Sequence, residues 1–149
     1  MYIKQTIYQQ LLQTLNQQIN RFQFALDELS NSVMNETKST AGDKHETALA
    51  MLQSEQSRIA QHLYEAVDRK TVFVQLNVDD NSESVRNGSV IKTNKGYFFM
   101  GVAITKTVIN DISIIGISPQ SPLGKELSGH KKDDIITVNG NEYLIEDIL

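Results

Sequence analysis

The sequence YQQLLQTLNQQINRFQFALDELSNSV, from Tyr8 to Val33, repeats apolar residues at alternating spacings of four and three. A period of about 3.5 residues is the heptad pattern of a helix that buries one stripe against a partner helix. Glutamine and other polar residues occupy most of the remaining positions, although four flanking apolar residues widen the stripe. We therefore predict a long helix that needs one helical partner. The stripe consists of Tyr8, Leu12, Leu15, Ile19, Phe22, Leu26, Leu29 and Val33.

A second heptad pattern supplies this partner. Its positions are Leu49, Leu52, Gln56, Ile59, Leu63 and Ala66. Because a short polar link joins the two patterns, the helices should fold back antiparallel. A first helix from about Lys4 to Val33 would be roughly 45 Å long, so the hairpin should project from a small domain. A compact bundle and a dimerising coiled coil remain alternatives for the same stripe.

The composition of the chain limits its class. It has 149 residues, 40% hydrophobic and 21% charged, with a net charge of -4, which is the profile of a soluble globular protein without general affinity for nucleic acid or anionic lipid. The absence of cysteine excludes a disulfide framework, a thiolate metal site and a catalytic cysteine. We expect a cytoplasmic protein, since the N-terminus lacks a secretory signal and no apolar stretch approaches the roughly 20 residues of a membrane span.

The amino-acid composition of the sequence changes between Arg69 and Thr71. The part before this point is rich in glutamine and contains no proline and one glycine, Gly42. The remainder contains both prolines and the other seven of the eight glycines. We therefore predict two domains, a helical hairpin over residues 1–70 with its tip near residues 35–46, and a second domain over residues 71–149.

Short β-branched or aromatic runs, separated by turn residues, predict strands in the second domain. The segments Asn94-Lys95-Gly96 and Asn139-Gly140 predict hairpin turns, the latter of type I′. The sequence SPLGKELSG at residues 121–129 predicts one short helix, because serine stands at the cap, proline follows and glycine lies beyond the end. The predicted fold class is α+β, a helical hairpin followed by a small, mostly antiparallel sheet. The predicted strands cover residues 71–76, 88–93, 97–104, 112–117, 135–138 and 143–145.

The link between the two helices carries two acids, Asp43 and Glu46, which should lie at the exposed tip of the hairpin. Thr40-x-x-Asp43 and Asp43-x-x-Glu46 both fit the capping-box pattern, and the helix dipole favours acids in a first turn. Helix capping is thus one explanation of these acids, and delivery of the tip into another molecule is a second. An intrinsic zinc site is not favoured, since His45 and Glu46 are consecutive helical positions that should point in different directions, and the other histidines, His62 and His130, lie far away in the sequence. No G-x-S-x-G or Walker-type sequence suggests a self-contained active site.

Two motifs in the chain resemble those of the bacterial Gre family of transcript cleavage factors. GDKHETA at residues 42–48 resembles the family's G-D-L-x-E-N-A segment, which joins the two helices of its coiled coil. SPLGKELSGHK at residues 121–131 resembles the family's S-P-[IL]-G-[KR]-A-L-L-G-K-K signature. Their order and the heptad hairpin extend the resemblance over nearly the whole chain. It implies a coiled-coil hairpin and a C-terminal domain of the FKBP-like type, which has no prolyl isomerase role in that family.

The resemblance also implies a mechanism. The C-terminal domain would bind RNA polymerase at the rim of its secondary channel, and the hairpin tip would enter the channel. Asp43 would help to hold a weakly bound Mg²⁺ and Glu46 would help to orient the attacking water, which suits two-metal phosphodiester cleavage. The factor would be a monomer that contacts transcript RNA indirectly, with no intrinsic cofactor and no enzymatic activity of its own. Partner contacts are expected of Lys44, Ser121, Pro122, Leu123, Gly124, Lys125 and Lys131.

Departures from the family pattern leave two alternatives open. Lys44 and Thr47 stand where the family has leucine and asparagine, and residues 49–50 replace an acidic–aromatic pair. In the second motif Ser128 replaces a leucine, and Asp133 replaces the glycine that the family has before an acid, which is Asp134 here. Lys44 could pair with the acids or contact RNA phosphate, so one alternative is a regulator that occupies the channel without promoting cleavage. The other is a coiled-coil scaffold or dimerisation protein.

Overall fold

A computed structural model describes the backbone of residues 2–37, 42–79 and 81–149, and the side chains of residues 3–36, 45–79 and 81–149. The predicted α+β class is confirmed, since a long N-terminal helical hairpin is followed by a six-stranded sheet and one short helix. The helices are α1 (Tyr2–Thr37), α2 (Gly42–Val74) and α3 (Pro122–Leu127). The strands are β1 (Val90–Thr93), β2 (Gly96–Met100), β3 (Ile104–Ile109), β4 (Ile112–Ile117), β5 (Ile135–Val138) and β6 (Asn141–Ile148).

One compact unit, Asn16–Asp68, contains the outer part of the hairpin. The predicted seam is confirmed, because its side chains from both helices are half-buried or buried. Gln56 Nε2 donates a hydrogen bond to Ser30 Oγ at 3.1 Å, and the ring of Phe22 stacks on His62 at 5.5 Å between centroids. These two pairs run in opposite order along the two helices. The helices are therefore antiparallel, and Gln56 places a polar layer within the seam.

The second compact unit consists of Met1–Leu15 and Arg69–Leu149 and contains the sheet. The strand order is β3-β4-β2-β1-β6-β5. All neighbouring strands are antiparallel except β2 and β4, which are parallel. The sheet is therefore mostly antiparallel, as predicted, with one parallel pair. The parallel pair arises because β4 returns from the edge strand β3 and inserts beside β2.

Two apolar clusters lie in the sheet unit. In one, Ile7 and Leu11 of α1 and Phe73 of α2 pack with sheet residues. The ring of Phe73 stacks on Tyr8 at 4.6 Å between centroids and lies 5.2 Å from Phe99. The other cluster contains Leu127 of α3. Full burial of a side chain of this size contributes about 1.5–3 kcal/mol, so both clusters stabilise the sheet. The second cluster also contains Val85, Ile91, Phe98, Met100, Ile136 and Ile145.

The predicted strand over residues 71–76 is wrong, because α2 continues to Val74. Ile59, Ala66 and Phe73 are seven residues apart and all three are buried. The helical period therefore continues beyond residue 70, and burial of Phe73 outweighs the strand preference of its β-branched neighbours.

The predicted strand over residues 97–104 is divided. β2 ends at Met100 and β3 begins at Ile104, with Gly101 between them at a φ of 155°. A Cβ at Gly101 would lie 2.5 Å from Leu76 Cδ1. The prediction missed β3, which leads through Asn110-Asp111 into β4 with positive φ angles of 48° and 68°. The predicted type I′ turn at Asn139-Gly140 is confirmed by φ angles of 52° and 80°.

Candidate functional site

The hairpin tip lies where α1 ends and α2 begins. Within the predicted tip near residues 35–46, residues 38–41, including Thr40 of the predicted capping box, lie outside the described residues, as do the side chains of Asp43 and Lys44. The backbone of α2 is helical from Gly42, so positions 43 and 46 are neighbours on one face of its first turns. The side chain of Glu46 is exposed. The roles assigned to these acids remain predictions.

One contact joins the two helices beside the tip. His45 Nδ1 lies 3.2 Å from Glu36 Oε1, and the two side chains are 19% and 28% exposed. An ionised carboxylate only accepts, so the contact is a hydrogen bond to Glu36 in the tautomer of His45 that carries its proton on Nδ1. Sequence reasoning missed this pair. The available signal was a glutamate and a histidine within the predicted tip near residues 35–46.

The second motif forms α3 as predicted. Ser121 is its N-cap, and the Ser121 Oγ accepts from the Gly124 N–H at 3.0 Å. The same hydroxyl donates to the Ser118 carbonyl at 2.7 Å. Pro122 occupies the first helical position, where its missing N–H removes no hydrogen bond. Ser121 therefore has a defined structural role in starting the helix.

Gly124 has a structural role of a different kind. A Cβ at this position would lie 2.0 Å from the Ser118 carbonyl oxygen, far inside contact distance. The residue is buried, and Leu123 packs against the cluster that contains Leu127. Pro122 and Lys125 are exposed. Of the predicted partner-binding residues on α3, these two are the ones most open to another molecule.

Lys131 lies at an open groove of about 660 Å³. Its backbone N–H donates to Asp134 Oδ2 at 2.8 Å, and His130 Nδ1 lies 3.0 Å from the same oxygen. These contacts, the backbone N–H first and His130 second, lower the pKa of the Asp134 carboxyl. The Lys131 side chain is exposed. The groove is lined by Asn81, Ser82, Glu83, Lys131, Lys132, Asp147 and Ile148.

The structure thus places the predicted residues in separate groups. Ser121, Leu123 and Lys125 come together on α3 in the sheet unit, and Lys131 follows in the same unit. Glu46 belongs to the hairpin unit. Among the described side chains, no three His, Asp or Glu residues converge as metal ligands would. Within the described ranges, neither long helix has the apolar stretch that a membrane-spanning helix requires.

Comparison with known proteins gives limited similarity. No protein-family model matches the chain, and no curated protein matches it at a significant level. A structure of the transcription factor Gfh1 is similar with a TM-score of 0.39 and 20% identity, over 93% of each chain. The GreA factor homolog 1 (Gfh1) protein of Thermus thermophilus gives the same TM-score and identity over 94% of this chain and 95% of its own.

Proposed function

We propose that this protein is a Gre-type transcription factor that binds RNA polymerase and presents Asp43 and Glu46 to its catalytic centre through the secondary channel. The observation that carries the proposal is the position of the tip motif. GDKHETA begins where α2 begins, at the closed end of an antiparallel hairpin, and the Glu46 side chain is exposed. Positions 43 and 46 therefore lie at the end of the hairpin that would enter the channel.

The proposed chemistry divides between the factor and the polymerase. Asp43 would help to hold a second, weakly bound Mg²⁺ of the polymerase, and Glu46 would help to orient the attacking water. Carboxylate oxygens are the ligands that Mg²⁺ prefers, and two metal ions stabilise the attacking and leaving oxygens in phosphodiester cleavage. The factor would act as a cytoplasmic monomer that stimulates the polymerase's own nuclease activity. Transcript RNA would be contacted indirectly.

The sheet unit would provide the docking surface. Pro122, Lys125 and Lys131 are exposed, and they are the residues of the second motif that we propose to contact the polymerase. Ser121 and Gly124 would act indirectly, since they form the helix start on which Pro122 lies. The FKBP-like assignment of this unit belongs to the same proposal.

A regulator that enters the channel without promoting cleavage is the second candidate. The substitutions that favour it are Lys44 and Thr47, which flank the two acids. A cation next to Asp43 could form an ion pair that competes with Mg²⁺. This candidate shares the docking surface of the first and differs only in the chemistry of the tip.

Backtracked elongation complexes from the source organism test both candidates. Adding the protein should shorten the transcripts, and Asp43→Ala or Glu46→Ala should lower the cleavage rate by roughly 10²–10⁴-fold. Asp27→Ala is the matched control, because it removes an exposed acid from the same hairpin away from the tip. Tip variants that cleave as fast as the unmodified protein would show that the assigned roles are wrong.

Binding to immobilised polymerase distinguishes the regulator from the coiled-coil scaffold. Retention on immobilised polymerase without transcript shortening would favour the regulator. A stable homodimer in sedimentation, with no retention, would favour the scaffold and would contradict both polymerase-binding candidates.

A further inference from the structure

We propose that Glu36 is a positioning residue for the hairpin tip, holding His45 and through it the helical turn that carries Glu46. The proposal rests on the function proposed above. We call the pair of Glu36 and His45 the tip clamp. Neither residue is expected to touch the reacting atoms.

The tip clamp joins the end of α1 to the start of α2. Glu36 lies in the last turn of α1 and His45 in the first turn of α2. Their hydrogen bond at 3.2 Å therefore links the two helices across the turn. By contrast, both members of the hydrogen-bonded pair of Arg58 and Glu55 lie on α2.

The tip clamp is more shielded from water than the pair of Arg58 and Glu55. In the tip clamp, the side chain of His45 is 19% exposed and that of Glu36 is 28% exposed. The corresponding values are 56% for Arg58 and 41% for Glu55. Exposed pairs contribute little because water and salt screen them. A hydrogen bond that water reaches less easily restrains its partners more effectively. The tip clamp is thus better suited than a surface pair to hold a helix end.

The consequence for Glu46 follows from helix geometry. The N–H groups of a first helical turn have no partner within the helix, so helix ends tend to fray. A contact at His45 fixes the backbone of the next residue, Glu46, relative to α1. A misplacement of about 1 Å in a reacting group can cost on the order of 10²-fold in rate. Loss of the tip clamp should therefore slow cleavage although both tip acids remain.

Conservative substitutions separate positioning from general destabilisation. Glu36→Gln keeps an acceptor oxygen, and His45→Asn keeps an N–H donor close to the position of Nδ1. Glu36→Ala and His45→Ala remove the hydrogen bond. Glu55→Ala is the matched control, because it removes a pair that lies within one helix.

The test measures transcript cleavage against factor concentration. Glu36→Ala and His45→Ala should lower the maximal rate about tenfold, and the half-saturating concentration should change less than about twofold because the docking surface is intact. Glu36→Gln and His45→Asn should recover most of the rate, and the double alanine variant should be no slower than either single variant. Alanine variants that match the unmodified maximal rate, or conservative variants that are equally slow, would overturn the proposal.

Amide hydrogen exchange gives a readout that does not depend on cleavage. Exchange over residues 45–48 should become faster in Glu36→Ala, return towards normal in Glu36→Gln and stay unchanged in Glu55→Ala. If the unmodified protein does not cleave transcripts, the proposed function fails, and this exchange pattern still decides whether the clamp exists. Unchanged exchange in Glu36→Ala would overturn the tip clamp whatever the cleavage result.

Discussion

The sheet unit and the hairpin unit bury their apolar side chains in different ways. In the sheet unit, side chains such as Phe73, Phe99 and Leu127 are fully buried within two clusters. In Asn16–Asp68, the described apolar side chains that reach comparable burial are Ile59 and Ala66, and the rest of the seam is half-buried. A narrow seam leaves less apolar area to oppose local opening. The stability of the sheet unit should therefore depend mainly on close packing of buried side chains. The stability of the hairpin should depend more on a few polar contacts.

The largest effect should come from a cavity in the sheet unit. Phe73→Ala removes a ring packed against Tyr8 and Phe99, and it should lower the free energy of unfolding by about 3–5 kcal/mol. The urea-denaturation midpoint measures this loss. Phe24→Ala, at a hairpin residue that is 68% exposed, should change the free energy of unfolding by less than about 0.5 kcal/mol. If the two variants lost similar free energies of unfolding, the proposed difference between the units would be wrong.

Gly124→Ala tests close packing by adding one methyl group, whereas Phe73→Ala removes a ring. The new Cβ would meet the Ser118 carbonyl, so the start of α3 must shift, and the free energy of unfolding should fall by about 2 kcal/mol. Gly129→Ala is a useful comparison, since the space around it is open and its effect reflects only the positive φ of 85°. A Gly124→Ala protein with unchanged stability would show that this segment is not closely packed.

Gln56→Leu should strengthen the hairpin seam. The substitution replaces the hydrogen bond to Ser30 with apolar contact, and we expect a gain of about 1 kcal/mol in the free energy of unfolding. A polar residue at such a position also specifies pairing, so the variant should associate more readily in sedimentation. A loss of stability would indicate that the Ser30 hydrogen bond contributes more than the apolar contact.

The smallest effect should come from Asp134→Asn in the loop beside Lys131. Its folded pKa lies below the ordinary 3.8, so the ionised carboxylate stabilises the folded state above that pH. This contribution disappears as the pH falls through the folded pKa. The variant should therefore have a slightly lower urea-denaturation midpoint than the unmodified protein at pH 7, and the two midpoints should converge below pH 3.8. A difference that persists in acid would contradict the role of the charge.

Much of this fold could be predicted because its signals are periodic and local. The heptad spacing predicted both helices of the hairpin, and the serine, proline and glycine around residues 121–129 predicted α3. The end of α2 was mispredicted because the β-branched residues near Phe73 resemble a strand. The burial of Phe73, seven residues after the buried Ala66, resolves that ambiguity.

The candidate site was less predictable, since its contacts depend on tertiary structure. The acids Asp43 and Glu46 were singled out by the polar link and by a resemblance in motif. The contact between Glu36 and His45 spans the turn, and heptad spacing does not specify such a pair. The role of Gly124 likewise depends on the distance to the Ser118 carbonyl, which no local pattern expresses.

The close approach at Gly124 affects how related sequences should be interpreted. Selection for an intact backbone would retain glycine here even in a protein that had changed or lost its partner, because any side chain would strike Ser118. An invariant glycine at this position would therefore report the survival of the fold. Lys125, the next residue, is exposed and is not subject to that constraint. Substitution of Lys125 in related sequences would therefore indicate a change of partner more directly than the state of position 124.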